Sequence, residues 1–189
     1  MQRTVIFIQA ETDPGQELFY RGGISHNQRP GCNTNAATSA CAISIQHNTL
    51  GSAAYYEKMN AWSVGDNKLD WYGVESGQGS FNGQSAAGTP AAWTSNQQGN
   101  PGYQPLNTFG DHYWMVDLNM DCDATENGWF EMKLFITNSG WEGVMSQVSS
   151  CGGTAGGAKP SYTSGNHFGR CGFINVFNFR SGNCTINDF

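Results

Sequence analysis

The sequence predicts an all-β fold, an antiparallel β-sandwich of jelly-roll or immunoglobulin-like type with long loops and disulfides. Three observations carry that prediction. The 189 residues include 25 glycines and many Asn, Ser, Thr and Gln, while charged residues make up only 13%, a balance suited to turns and polar loops rather than charged helix faces. Outside those loops, apolar residues recur at every second position, the period of a half-buried strand. Six cysteines stand isolated, with no C-x-x-C pair of the kind zinc and thiol-redox sites use, so structural disulfides in an oxidising compartment are expected. At this length one domain, residues 1–189, is expected, since no compositional break divides the chain.

Residues 4–9 are β-branched and aromatic and read as the first strand. Pro14 and Gly15 follow in a turn, and Leu18, Phe19, Tyr20 and Arg21 form a second strand closed by Gly22 and Gly23. In residues 41–47 the odd positions are mostly apolar, which points Ile43 and Ile45 at a core. The clearest alternation covers 113–123. Trp114, Val116, Leu118, Met120 and Cys122 share one face, and Asp117, Asn119, Asp121 and Asp123 share the other. Residues 129–137 alternate again, with Phe130, Met132, Leu134 and Ile136 on one side. The intervening Thr125, Glu126, Asn127 and Gly128 predict that these two runs form a hairpin. Residues 172–179 are apolar on both faces, as a strand covered on both sides within a sheet should be. No internal repeat and no amphipathic helix is expected. Segments 73–104 and 139–167 read as long loops, either functional or pinned by cross-links.

Six cysteines permit about 15 pairings, so connectivity stays open. The preferred set is Cys32 with Cys41, Cys122 with Cys171, and Cys151 with Cys184. A net charge of -6 with nine Lys plus Arg offers no footprint for nucleic acid or anionic lipid. No stretch nears the roughly 20 apolar residues of a spanning helix, and the apolar run after Arg3 is too short for a signal core. Any export signal is absent or already removed, and a secreted, extracellular protein is expected. The sequon at Asn183 weighs in neither direction.

Six tryptophans and seven tyrosines exceed what the strand cores require. A sugar ring offers an apolar C–H face and a rim of hydroxyls, which an indole plate beside Asn, Gln, Asp or Glu reads well. Each exposed plate contributes on the order of 1 kcal/mol beyond area burial. Two or three plates with a few hydrogen bonds correspond to dissociation constants of about micromolar to millimolar. Trp71 and Tyr72 are the first choice, since both lie between Asp70 and Glu75. Trp93, Trp141, Trp62 and Tyr103 complete the set of stacking candidates, with Asp70 and Glu142 as acceptors for sugar hydroxyls. Trp114 belongs to the core by strand parity. Asp117, Asp121, Asp123 and Glu126 leave room for a structural calcium, but a solvated acidic face is the preferred reading. His26, His47, His112 and His167 show no metal-binding spacing. No cofactor is expected.

Several motifs in combination resemble the C-terminal accessory domain of secreted α-amylases of marine bacteria and molluscs. They are Glu11-Thr12-Asp13-Pro14-Gly15-Gln16 with Arg21-Gly22-Gly23-Ile24-Ser25-His26, Leu69-Asp70-Trp71-Tyr72-Gly73, and Gly88-Thr89-Pro90-Ala91-Ala92-Trp93. Phe109-Gly110-Asp111-His112-Tyr113-Trp114-Met115, Asp121-Cys122, Asn127-Gly128-Trp129-Phe130-Glu131, Gly140-Trp141-Glu142 and Asn166-His167-Phe168 continue the match over nearly the whole length. The opening turn and strand are more weakly similar to starch-binding domains. The resemblance implies a noncatalytic carbohydrate-binding module for starch-like α-glucans attached to a glycoside hydrolase. Two alternatives stand beside it. One is a secretion or folding appendage that contacts its own catalytic domain. The other is a small β-sandwich glycoside hydrolase, in which Asp70 would pair with Glu75 or Asp111.

Overall fold

The computed structural model describes residues 1–147 and 150–189. Its strands are β1 (Gln2–Gln9), β2 (Leu18–Gly23), β3 (Ile43–His47), β4 (Lys68–Leu69), β5 (Ser80–Phe81), β6 (Gln84–Ser85), β7 (Thr89–Pro90), β8 (Ala92–Thr94), β9 (Tyr113–Met120), β10 (Trp129–Ile136), β11 (Gly140–Trp141), β12 (His167–Arg170), β13 (Ile174–Asn178) and β14 (Cys184–Asn187). One sheet has the order β14-β13-β1-β9-β3-β4, with β8 also on β9. The other has the order β11-β10-β2-β7, with β12 also on β10. Strands β5 and β6 form a separate ribbon. Among the described residues, the named strands pair antiparallel except β1 with β13, so the first sheet is mixed.

The predicted parities hold. Ile6, Ile8, Trp114, Val116, Leu118, Met120, Ile43 and Ile45 from the first sheet meet Leu18, Tyr20, Phe130, Met132, Leu134 and Ile136 from the second in one buried cluster. The opposite face of the first sheet, with Val5, Phe7, Met115, Ile174 and Val176, is covered by Leu106 and Phe109. Strand β13 is therefore buried on both sides between β14 and β1, as predicted. The expected Gly pair closes β2 for a steric reason. A Cβ at Gly23 would collide with the Cys41 carbonyl, and its φ of +134° is one that side chains rarely adopt.

All three preferred disulfides are present: Cys32–Cys41, Cys122–Cys171 and Cys151–Cys184. The last pins segment 151–157 against β14, whose edge groups it satisfies through Ile186 N–H to the Gly152 carbonyl and Ala155 N–H to the Ile186 carbonyl. An exposed strand edge is thereby covered. Three such bonds fit an oxidising compartment, and among the described residues no helix is long and apolar enough to cross a membrane.

Three expectations are corrected. The turn at 125–128 exists, with Asn127 and Gly128 both at positive φ and reciprocal Glu126–Trp129 backbone bonds. Yet β9 and β10 belong to different sheets. A 3-10 turn at Cys122–Ala124, capped by Asp121 and tied down by the disulfide to Cys171, ends β9 at Met120 and carries the chain across the sandwich. The second correction concerns Asp117, which is not solvated but buried and bound to Arg3 and Asn48. The third is a helix, α1 (Glu57–Ser63), preceded by a 3-10 turn at Ala54–Tyr56. Tyr56, Met59 and Trp62 recur at three-residue steps and turn one face inward.

Candidate functional site

The outer face of the second sheet is only partly covered. Phe19 of β2 lies under Trp62 of α1 and Ala86, with Phe81 at the margin. At the other end Glu131 of β10 lies under Tyr162 and Asn166. Between these covers a cleft of ≈ 300 Å³ opens, lined by Ser25, His26, Asn35, Trp71, Lys133, Trp141 and Asn166.

Strand register places the floor. Lys133 of β10 is opposite Arg21 of β2, and Phe135 is opposite Trp141 of β11. The Arg21 guanidinium sits 3.9 Å from the Phe135 ring centroid and 4.8 Å from that of Trp141, an arrangement that supports the indole from behind. Phe135 meets Trp141 edge-on at 5.6 Å. Trp141 is nonetheless 44% exposed. The opposite wall is Trp71, half-buried and anchored by its indole N–H to the Ile24 carbonyl at 3.1 Å. Gly73 allows this wall to lie down, since at φ +124° its Cβ position is 2.8 Å from the Arg21 guanidinium.

The loop carrying Trp71 is held by buried acids. Glu75 Oε1 accepts from Lys68 N–H at 2.8 Å and Asn67 N–H at 3.2 Å, closing a ring around residues 67–75. Asp66 Oδ2 is 2.6 Å from His47 Nε2. Burial pushes Asp66 up to about 7, and Glu75 is likewise pushed up to about 7, by burial and then by its hydrogen bond to Asp66. Burial lowers His47 to about 4, so its ring is neutral and donates Nε2–H to Asp66. Asp70, raised to about 6 mainly by burial, accepts from Tyr72 N–H at 2.7 Å. Two carboxyls this close cannot both ionise cheaply, so Glu75 keeps a proton and donates it to Asp66. Among the described residues, no group of three or more His, Cys, Asp or Glu is arranged to hold a metal ion.

The structure brings Trp71 and Trp141 together in one cleft and separates the other candidates. Tyr72 is 63% exposed but outside the cleft lining. Trp62 is sealed under the β5–β6 ribbon, with its indole N–H on the Gln84 carbonyl, so it presents no plate to a ligand. Trp93 and Tyr103 lie elsewhere: Trp93 is on β8, paired to β9 and bound through its indole to His112 Nδ1, and Tyr103 bridges to Ser95. Asp70 is buried and satisfied within its own loop. Glu142 is also corrected as a sugar contact. It is 1% exposed and accepts from His167 Nε2 at 2.8 Å, Arg180 N–H at 2.7 Å and Leu134 N–H at 3.2 Å. Asp111 binds Ser95 and Gln97, away from the Asp70 loop.

Sequence reasoning missed Lys133, Asn35 and Asn166 as lining residues. The signal for Lys133 was present in the alternation of β10, which turns it away from the core beside Phe135. Comparison with known protein families, with curated proteins and with solved structures finds no match to this chain.

Proposed function

We propose that the cleft between Trp71 and Trp141 is a noncatalytic saccharide-binding site in a secreted module, with starch-like α-glucan as the ligand implied by the resemblance to α-amylase accessory domains. One observation carries this reading. Two indoles from distant parts of the chain line the same open cleft, beside the amide side chains of Asn35 and Asn166. Aromatic walls with a few polar groups are the usual make-up of a small-ligand site, and they match a pyranose with its apolar C–H face and hydroxyl rim. Trp141 is braced by Arg21 and Phe135, so it meets a ligand with little ordering cost.

Retention on insoluble starch tests the reading, alongside a panel of other polysaccharides. Trp141→Ala should weaken retention about fivefold or more, given a contribution on the order of 1 kcal/mol per plate plus its buried area. Unchanged retention removes the cleft from binding. If the unaltered chain binds no glycan at all, the appendage reading replaces this one.

A further inference from the structure

The cleft presents one unpaired charge, and it is positive. Lys133 lines the cleft, and among the described residues no carboxylate lies within ion-pair distance of its ammonium. The other lining residues are Ser, His, Asn and Trp, none of them acidic. The carboxylates of the surrounding segments, Glu131, Glu142, Asp70 and Glu75, are all buried. Glu131, on the same strand, is 0% exposed and accepts from Ser25 N–H, Asn166 Nδ2 and the Tyr162 hydroxyl. Asp70 is turned to the Tyr72 amide. Behind Trp141, Arg21 lies on the strand next to Lys133, with its charge faced by Asp70 and its Nε–H donated to the Ala87 carbonyl.

A neutral sugar laid over Lys133 would strip water from the ammonium and return no countercharge, a desolvation cost that a plain glucan reader avoids. A ligand bearing an anionic group offsets it with a charge-assisted hydrogen bond. The net charge of -6 does not oppose this, because exposed charges beyond about 8–10 Å are screened at ordinary ionic strength. We therefore propose that the cleft selects an acidic saccharide, a pyranose whose carboxylate or sulfate pairs with Lys133 while its ring stacks on Trp71 or Trp141. This rests on the saccharide reading above and names the chemical class of the sugar.

The test is calorimetric titration of the full chain with three matched probes: malto-oligosaccharides, their C6-carboxylated counterparts and their sulfate esters. At low salt, acidic probes should bind on the order of tenfold more tightly than neutral ones. The preference should shrink at about 1 M NaCl, where the screening length falls to roughly 3 Å. Lys133→Gln should bring the acidic-to-neutral ratio to about one, its fold checked by thermal unfolding. Whichever acidic probe gains more assigns the group as carboxylate or sulfate. Equal affinities for neutral and acidic probes at low salt overturn the proposal while leaving saccharide binding intact. So does a preference that survives Lys133→Gln, or acidic binding that Trp141→Ala leaves unchanged. Binding of none of the three overturns the saccharide reading as well.

Discussion

Replacing Glu75 by Gln should make the protein more stable at alkaline pH and leave it unchanged at acidic pH. In the folded state Glu75 holds a proton up to about pH 7 and shares it with Asp66, whereas an unfolded carboxyl releases it near pH 4. Between these values the native state binds more protons than the unfolded chain, so stability falls as pH rises from about 4 to about 7 and is then level. The rise of Glu75 from 4.5 to about 7 spans about 2.5 pH units, or about 3.4 kcal/mol, and discounting for its solvent access leaves about 2–3 kcal/mol. The amide introduced by the substitution supplies an N–H to Asp66 at any pH, and its oxygen still accepts from Asn67 and Lys68. Glu75→Gln should thus match the parent at pH 4.5 and exceed it by about 2–3 kcal/mol at pH 8, or roughly 5–10 °C in Tm for a domain of this size. Urea unfolding of both proteins at half-unit intervals from pH 4.5 to 8.5 measures this, and taking the difference cancels the titration of groups not coupled to Glu75, leaving Asp66, Asp70 and His47 to move with it. A difference that stays constant across that range would refute the shared proton.

Two further outcomes follow from buried contacts. Glu142→Ala strands His167, whose ring is wholly enclosed against Phe177, together with the Arg180 and Leu134 N–H groups, and should cost about 1–3 kcal/mol or more, the penalty of unsatisfied buried polar groups, in equilibrium unfolding, with Glu142→Gln milder. Replacing Cys122 and Cys171 together by Ser releases a link across a separation of 49 residues and should lower unfolding free energy by about 4 kcal/mol on the loop-entropy account, measured by denaturant titration of the purified protein.

Strand parity was the most legible part of the chain, because a period of two survives in sequence wherever one face is buried. That is why Ile43, Trp114 and Leu134 were assigned to the core correctly. Strand partners were less legible. Asn127-Gly128 does make a tight turn, but whether flanking strands pair depends on what happens several residues earlier, where Cys122 is tethered to a residue remote in sequence. The short helix escaped notice because Tyr56, Met59 and Trp62 supply only one apolar stripe over seven helical residues, less than a sequence pattern can separate from a loop. In the site, Trp71 and Trp141 were legible as aromatics in loops, but their proximity was not, since it arises from β2 and β10 lying side by side. Glu142 illustrates the opposite failure. It follows an exposed indole, and the reversal of side at each residue of a strand sends it inward to His167.

The lone parallel ladder in the first sheet fixes an order of events during synthesis. Asn175 Nδ2 reaches the Val5 carbonyl across a separation of 170 residues, and Val5 to Gln9 match Ile174 to Asn178 one for one. At roughly 5–20 residues per second, translation needs about 10–30 s to deliver that neighbour. Until then the edge of β1 that pairs with β13 stays open, and Val5 and Phe7 lack the cover of Ile174 and Val176.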